Sequence, residues 1–231
     1  IFISIFAPIY RCVASDYDTC MTNEHSNHVA ASAAKITASL AGKSAKFALI
    51  LGSGLGGFAD KISNVTKISY ADLPGFPTLT VAGHKGELLV GDIDGKTIIA
   101  LNGRKHLYET NDFYPLKTMI RSLKSAGIEN LFVTSATGSL NTDIPAGEIM
   151  AVTDHINLMG INPLIGPSDD DFGPRFMDMN NAWSPALRSK LLDTAQKYDI
   201  PLHQGVFVGF RGPNFETPAE IKLAQIVGGT A

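Results

Sequence analysis

The sequence predicts an α/β domain with a mixed central β-sheet flanked by helices. Three observations predict it. Apolar runs of strand length alternate with helix-favouring stretches, the pattern of strands covered by helices. Two of those runs flank Asp94-Gly95, the strongest short hairpin signal, so one strand pair is antiparallel and the sheet is mixed. The chain has 231 residues, 45% of them hydrophobic, enough for one large core.

In chain order, residues 29–41 are Ala-rich and favour a helix. Residues 46–51 read as a buried strand, followed by the glycine turn "GSGLGG". Residues 65–70 read as a second strand, and "DLPGFPT" as a loop punctuated by Pro74, Gly75 and Pro77. The hairpin "GELLVGDIDGKTIIALNGR" follows, then an irregular polar stretch over 103–113. Tyr114-Pro115 opens a helix to Ala126, with Pro115 suited to the first turn. "NLFVTSATGS" is a strand running into a small-residue loop, and "GEIMAVTDHINLM" holds another strand. Residues 162–183 form a long loop, a length that often carries function. Ser184-Pro185 starts a helix to about Tyr198, "HQGVFVGF" is a strand, and Thr217-Pro218 starts a helix that stops at Gly228-Gly229.

The same reading takes residues 21–231 as one domain. Residues 1–20 read as a non-domain extension, a cloning or gene-start artefact in preference to the tail of a signal sequence, because "MTNEHSNHVAASAAKI" from Met21 reads as a natural start leading into a helix. After "AEIKLAQIVGGTA" an α/β chain is expected to continue into a strand, so the domain reads as incomplete at its C-terminus.

Charge is nearly balanced, 19 basic against 22 acidic residues, and no basic block points to nucleic acid. No apolar stretch reaches the ~18 residues of a membrane span. Cys12 and Cys20 both precede the expected core and read as incidental free thiols, so neither a metal site nor a disulfide framework is expected.

Gly52, Gly54 and Gly57 satisfy the G-x-G-x-x-G pattern after a strand, with Asp72 where a ribose-binding acid would sit. A dinucleotide site also needs a crossover helix, and "GGFADKISN" leaves room for two turns at most, whereas such crossovers take about a dozen residues or more. A structural glycine turn and a phosphate loop remain open. For the latter, Ser53 offers a hydroxyl and the glycines let backbone N–H groups approach an anion. His84 lies between glycines in "AGHKGE". Arg104, His106 and Tyr108 alternate in "NGRKHLYE", so extended chain would point all three to one side. They form either an anion-binding face, with Arg104 as forked donor, or a solvated loop. Before the last helix, Thr217 and Glu220 fit a capping box, which leaves Phe215 and Glu216 unused by the cap.

Together, "GSGLGGFAD", "GHKGE", "NGRKHLYE", "VTSATGSLN", "DHINLMGINPLIGP", "FGPRF" and "GPNFETPAE" resemble, in order and spacing, the motifs of the trimeric purine nucleoside phosphorylases. The resemblance runs from about residue 45 to 231. "HQGVFVGFRGPNFET" is similar to the bacterial branch that includes xanthosine phosphorylase. The resemblance implies phosphorolysis: inorganic phosphate attacks a purine nucleoside, a pentosyl transfer giving free base and ribose 1-phosphate. It implies that Ser53, His84, Arg104 and the backbone at Ala136 bind phosphate, that His106 acts beside phosphate and sugar, and that Tyr108 contacts the ribose. Phe215 would wall the base, and Glu216 would accept hydrogen bonds from the purine ring. Phe172 would reach a neighbour's sugar pocket across a homotrimer interface. It further implies a cytoplasmic enzyme that needs no metal or organic cofactor, no nucleic acid and no membrane.

The sequence departs from the family pattern at Ser135, Thr137 and Ser139, in a loop where backbone donors do the binding. The family's next strand carries a methionine under the ribose, followed by an asparagine on the purine ring and a histidine near the 5′-hydroxyl. All fall past Ala231, so the chain is expected to be inactive as it stands and its free strand edges prone to aggregate. Two other classes compete with the enzyme reading: a non-catalytic purine- or phosphate-binding protein of the same fold, and a dinucleotide-dependent oxidoreductase.

Overall fold

The computed structural model describes residues 2–5, 19–52, 54–79, 85–166 and 170–231. The chain divides into two compact units, one of Pro8–Leu131 and Pro163–Met177, the other of Ile1–Ala7, Phe132–Asn162 and Asp178–Ala231. The α/β class with mixed strand pairing holds in each unit.

The first unit contains α1 (Thr19–Ser39), β2 (Phe47–Leu51), β3 (Ser63–Ser69), β4 (Glu87–Ile93), β5 (Lys96–Asn102) and α2 (Tyr114–Ser125). Here β3 pairs antiparallel with β4, β4 antiparallel with β5, and β5 parallel with β2. The expected hairpin forms: Asp94 (φ 48°) and Gly95 (φ 74°) both take positive φ, as a two-residue turn with the twist of the flanking strands requires. Leu88, Leu89 and Val90 are all buried, as are Ile99, Ala100 and Leu101. Such unbroken buried runs belong to strands covered on both faces. Leu51, Ile62, Leu89 and Ala100 make one core cluster, and Ile36 of α1 is fully buried.

The glycine turn leads into a six-residue 3-10 helix, Gly56–Lys61, and then directly into β3. No crossover helix intervenes among these described residues, so the dinucleotide reading loses its main structural requirement. The helix expected over 29–41 spans Thr19–Ser39, and it packs along α2, where Ser122 Oγ donates to Val29 O (3.4 Å) and Arg121 meets His25. Pro115 lies in the first turn of α2 as expected, and Gly127 (φ 91°) ends that helix.

The second unit contains β1 (Phe2–Ile5), β7 (Met150–Asn157), α3 (Pro185–Lys197), β8 (His203–Gly209), α4 (Pro218–Ile226) and residues 132–135 of β6 (Asn130–Ser135). β1 pairs antiparallel with β6 and parallel with β7, and β7 pairs parallel with β8. The sequence reading leaves residues 1–20 outside the domain. In the structure residues 2–5 form a strand, as their "FISI" alternation of β-formers allows. Met150, Val152, Ile144 and Ala231 pack with Trp183 and Phe207. Past α4 the chain turns at Gly228 (φ 93°) and runs beside β8: Thr230 N donates to Val206 O (2.8 Å), and Val208 N to Ala231 O (2.7 Å).

Beside the hairpin turn, Asp92 gathers hydrogen bonds from Lys43 Nζ (2.8 Å), Asn64 Nδ2 (3.0 Å) and Thr97 Oγ1 (2.8 Å). These hold its carboxyl down from 3.8 to about 2, the Lys43 bond contributing most. A carboxyl depressed on folding stabilises above its unfolded value and loses that contribution as pH falls through the folded one. Asp92→Asn is therefore expected to lower the denaturation midpoint fully above pH 3.8, with the gap to the parent closing as pH falls through about 2. Midpoints measured from pH 2 to 7 check this; a gap independent of pH contradicts it.

Candidate functional site

Strand register brings three chain segments to one end of the first unit's sheet. Leu51 faces Asn102 across the parallel β2/β5 pair, and Glu87 faces Asn102 across the β4/β5 hairpin. Gly52 and Gly103 thus leave the sheet side by side, and Gly86 enters β4 beside them, its N–H donating to Asn102 O (3.1 Å). The glycine turn, the segment ahead of β4 and the Arg104 segment share this edge. Ser53 and His84, which belong to the first two segments, lie outside the described residues.

The third segment is described in full. Arg104 is half-buried, and loss of solvent pulls its guanidinium below its ordinary value while nearby Tyr108 opposes the shift. A guanidinium remains charged under such a shift, and a partly desolvated cation gains most from an anion that replaces its water. His106 and Tyr108 stack with ring centroids 4.8 Å apart and planes at 13°. The two rings meet on a turn, with Glu109 N donating to His106 O (3.1 Å), and not through the alternation of extended chain that the sequence suggests.

The structure adds Glu109, which the sequence reading passes over. Its side chain is 6% exposed. Oε1 accepts the His106 N–H at 2.7 Å and lies 3.4 Å from His106 Nδ1. One carboxylate therefore folds the 106–109 turn and faces the imidazole. The available signal is the i, i+3 acid after a histidine in "HLYE", a spacing that also suits a surface turn.

In the second unit, Ala136 opens the loop after β6. Ser135 Oγ donates to Ala136 O (3.2 Å), and Ser139 Oγ donates to Asn141 O (2.7 Å). Those two departures from the family pattern spend hydroxyls on the loop's own backbone. Leu140 ties this loop to the end of α4, because Gln225 Nε2 donates to Leu140 O (2.9 Å) and Leu140 N to Thr230 O (2.9 Å). At the other end of α4 the expected capping box forms: Thr217 Oγ1 accepts the Glu220 N–H (3.3 Å), and Glu220 Oε2 accepts the Thr217 N–H (2.7 Å). Those bonds hold the Glu220 carboxyl below the usual range. The cap fixes the chain entering the helix and uses neither Phe215 nor Glu216. Phe215 is 94% exposed, an aromatic ring with no intrachain packing to explain it, and Glu216 is half-buried.

Phe172 lies in the first unit, in a 3-10 turn, Asp170–Phe172, with the Arg121 guanidinium 4.1 Å from its ring centroid. Arg121 also meets His25 Nδ1 at 3.0 Å. Phe172 is thus engaged within its own chain. Four residues on, in the same motif, Phe176 is 89% exposed. Among the described residues no group of three or more His, Cys, Asp or Glu side chains is placed to hold a metal. No helix among them is long and apolar enough to cross a membrane.

The family model described as the phosphorylase superfamily matches residues 46–231. Purine nucleoside phosphorylase 1 of Bacillus subtilis is 46% identical over 189 residues, covering 82% of this chain and 70% of that protein. The purine nucleoside phosphorylase of Bos taurus is 39% identical over 189 residues, 80% of this chain and 65% of its own. Among solved structures, isoform 2 of the Schistosoma mansoni purine nucleoside phosphorylase, in complex with cytosine and ribose-1-phosphate, superposes with a TM-score of 0.81 at 33% identity, covering 88% of this chain and 73% of that one.

Removing the buried acceptor of the 106–109 turn tests its structural weight. Glu109→Ala is expected to lose about 1–3 kcal/mol in denaturant melts. A change within a few tenths would mean that the turn does not depend on this carboxylate.

Proposed function

The chain belongs to the phosphorylase superfamily, and on that premise we propose that it is a purine nucleoside phosphorylase, a pentosyltransferase that takes inorganic phosphate as co-substrate. The observation that carries this reading is the shared sheet end, where the glycine turn, the segment ahead of β4 and Arg104 emerge from three neighbouring strands. Residues 21–231 serve as one phosphorylase domain. The assembly is a homotrimer in the cytoplasm.

In the proposed reaction a hydrogenphosphate oxygen bonds to C1′ of the nucleoside as the bond from C1′ to the purine nitrogen breaks. The bonding pair leaves with the purine, which ends protonated, so the proton of hydrogenphosphate balances the step. Sugar charge builds in an oxocarbenium-like transition state. Ser53, His84, Arg104 and the Ala136 N–H hold the phosphate dianion beneath that charge. His106 is a catalytic residue beside phosphate and sugar, its backbone N–H held by Glu109 and its imidazole stacked on Tyr108. Tyr108 contacts the ribose. Phe215 packs on the purine, and Glu216, the second catalytic residue, accepts hydrogen bonds from the ring and orients it, while donors to the ring offset the negative charge it takes up. Holding both reactants in line contributes a large part of the rate.

For the ring lent to a neighbour's sugar pocket, two candidates share the "DFGPRF" motif. The Arg121 guanidinium occupies a face of Phe172. The exposure of Phe176 supports it, in place of Phe172, as the ring that reaches across. The branch resemblance supports xanthosine beside inosine and guanosine as a substrate.

The test is purine release by the full-length protein from inosine, guanosine and xanthosine with and without phosphate. Release that requires phosphate supports the reading; none with any of the three moves the function to a purine- or phosphate-binding protein. Glu216→Ala is expected to lower kcat/KM on the order of a hundredfold. In the same assay Phe176→Ala is expected to raise the nucleoside KM more than Phe172→Ala does; the reverse order would restore Phe172 to the interface role.

A further inference from the structure

We propose that Tyr70 is a positioning residue that holds the Arg104 end of the phosphate site in its binding shape. The proposal rests on the phosphorylase reading, in which Arg104 receives phosphate.

Tyr70 begins the 3-10 turn Tyr70–Asp72 after β3, away from every motif that resembles the family. Its backbone and its side chain reach two different segments of the sheet end. Tyr70 N donates to Gly86 O (2.8 Å), at the start of β4. Tyr70 Oη donates to Gly103 O (2.8 Å), just past β5. Gly86 N in turn donates to Asn102 O (3.1 Å), which closes the loop of contacts. One residue thus ties together the segments that follow His84 and precede Arg104.

The Gly103 carbonyl belongs to the peptide whose N–H is that of Arg104. A peptide is planar, so fixing the direction of that C=O fixes the plane and the course of the chain into Arg104. Gly103 has φ 122°, so the strand breaks there and the next side chain is aimed by this single peptide. On the far side of Arg104, Lys105 Nζ donates to Thr78 O (3.1 Å), a second tie on the same segment. Tyr70 is 4% exposed and its ring meets Phe76 edge-on, with centroids 5.5 Å apart. Burial raises the phenol well above its ordinary value, so it stays protonated and remains a donor. Glycine 103 is buried as well, so a lost donor at its carbonyl is not simply replaced by bulk water.

The experiment compares the parent with Tyr70→Phe, which removes the hydroxyl and keeps the ring. Steady-state KM values for phosphate and for inosine are measured, together with the rise in Tm that inorganic phosphate produces. The expected result is a phosphate KM raised about tenfold, as one buried hydrogen bond allows, an unchanged inosine KM and a smaller phosphate-induced rise in Tm. Phe76→Leu loosens the same packing and keeps the hydroxyl, so it should lower Tm and leave the phosphate KM alone. Gly103→Ala, strained at this φ, moves the same peptide from its other side and should raise the phosphate KM if Tyr70→Phe does not fold. A parental phosphate KM in Tyr70→Phe, or an equal rise in Phe76→Leu, overturns the proposal and leaves the phosphorylase reading standing. A full-length parent that shows neither phosphate-dependent cleavage nor a phosphate-induced rise in Tm overturns both.

Discussion

The register of the β4/β5 hairpin is the constraint on which the site depends. Its turn, Asp94-Gly95, sets the ladder from Ile93↔Lys96 to Glu87↔Asn102. Parallel pairing of β2 then places Leu51 opposite the same Asn102. A slip of one residue would shift every pair of this ladder and move Gly103 and Arg104 away from the glycine turn. Buried runs on both strands, Leu88–Val90 and Ile99–Leu101, oppose such a slip, because every alternative register would have to bury the same apolar area with worse packing. The hairpin does not touch substrate in the proposed reaction. It decides where the anion-binding groups stand.

From that end of the sheet the chemistry follows in layers. Arg104 brings a fixed cationic fork out of partial burial, while the stacked pair His106 and Tyr108 follows on a turn closed by Glu109. The other unit holds the Ala136 loop and the Phe215-Glu216 pair at opposite ends of one helix system, joined through Leu140, Gln225 and the Thr217 cap. The proposed reaction assigns phosphate to the first set and the base to the second, and a departing purine that gains negative charge is stabilised by donors to its ring. Each kind is built on the ends of regular elements, with backbone hydrogen bonds as its supports.

Much of this was legible in the sequence where a local rule acts alone. The Asp94-Gly95 turn, the Pro115 start, the Ser184 cap and the Thr217/Glu220 box each depend on residues within four positions of one another, and all appear. The short link after Gly57 was legible too, since no helix of crossover length fits between Gly57 and β3. What escaped depends on distant partners. The packing of α1 against α2 joins residues 93 apart in the chain. Residues 2–5 find their place through β6 and β7. Phe172 and Phe176 are identical in type and four apart; the partner Arg121, some fifty residues upstream, separates them. Glu109 is buried against His106 only by the fold.

In the proposed reaction phosphate itself attacks the sugar carbon. Phosphate labelled with oxygen-18 reports on this through the oxygen that joins C1′ to phosphorus in the product of inosine cleavage. The expected product is ribose 1-phosphate whose bridging oxygen comes from the labelled phosphate. Free ribose whose C1′ oxygen comes from solvent water would make the protein a hydrolase and would contradict the role given to the Arg104 segment.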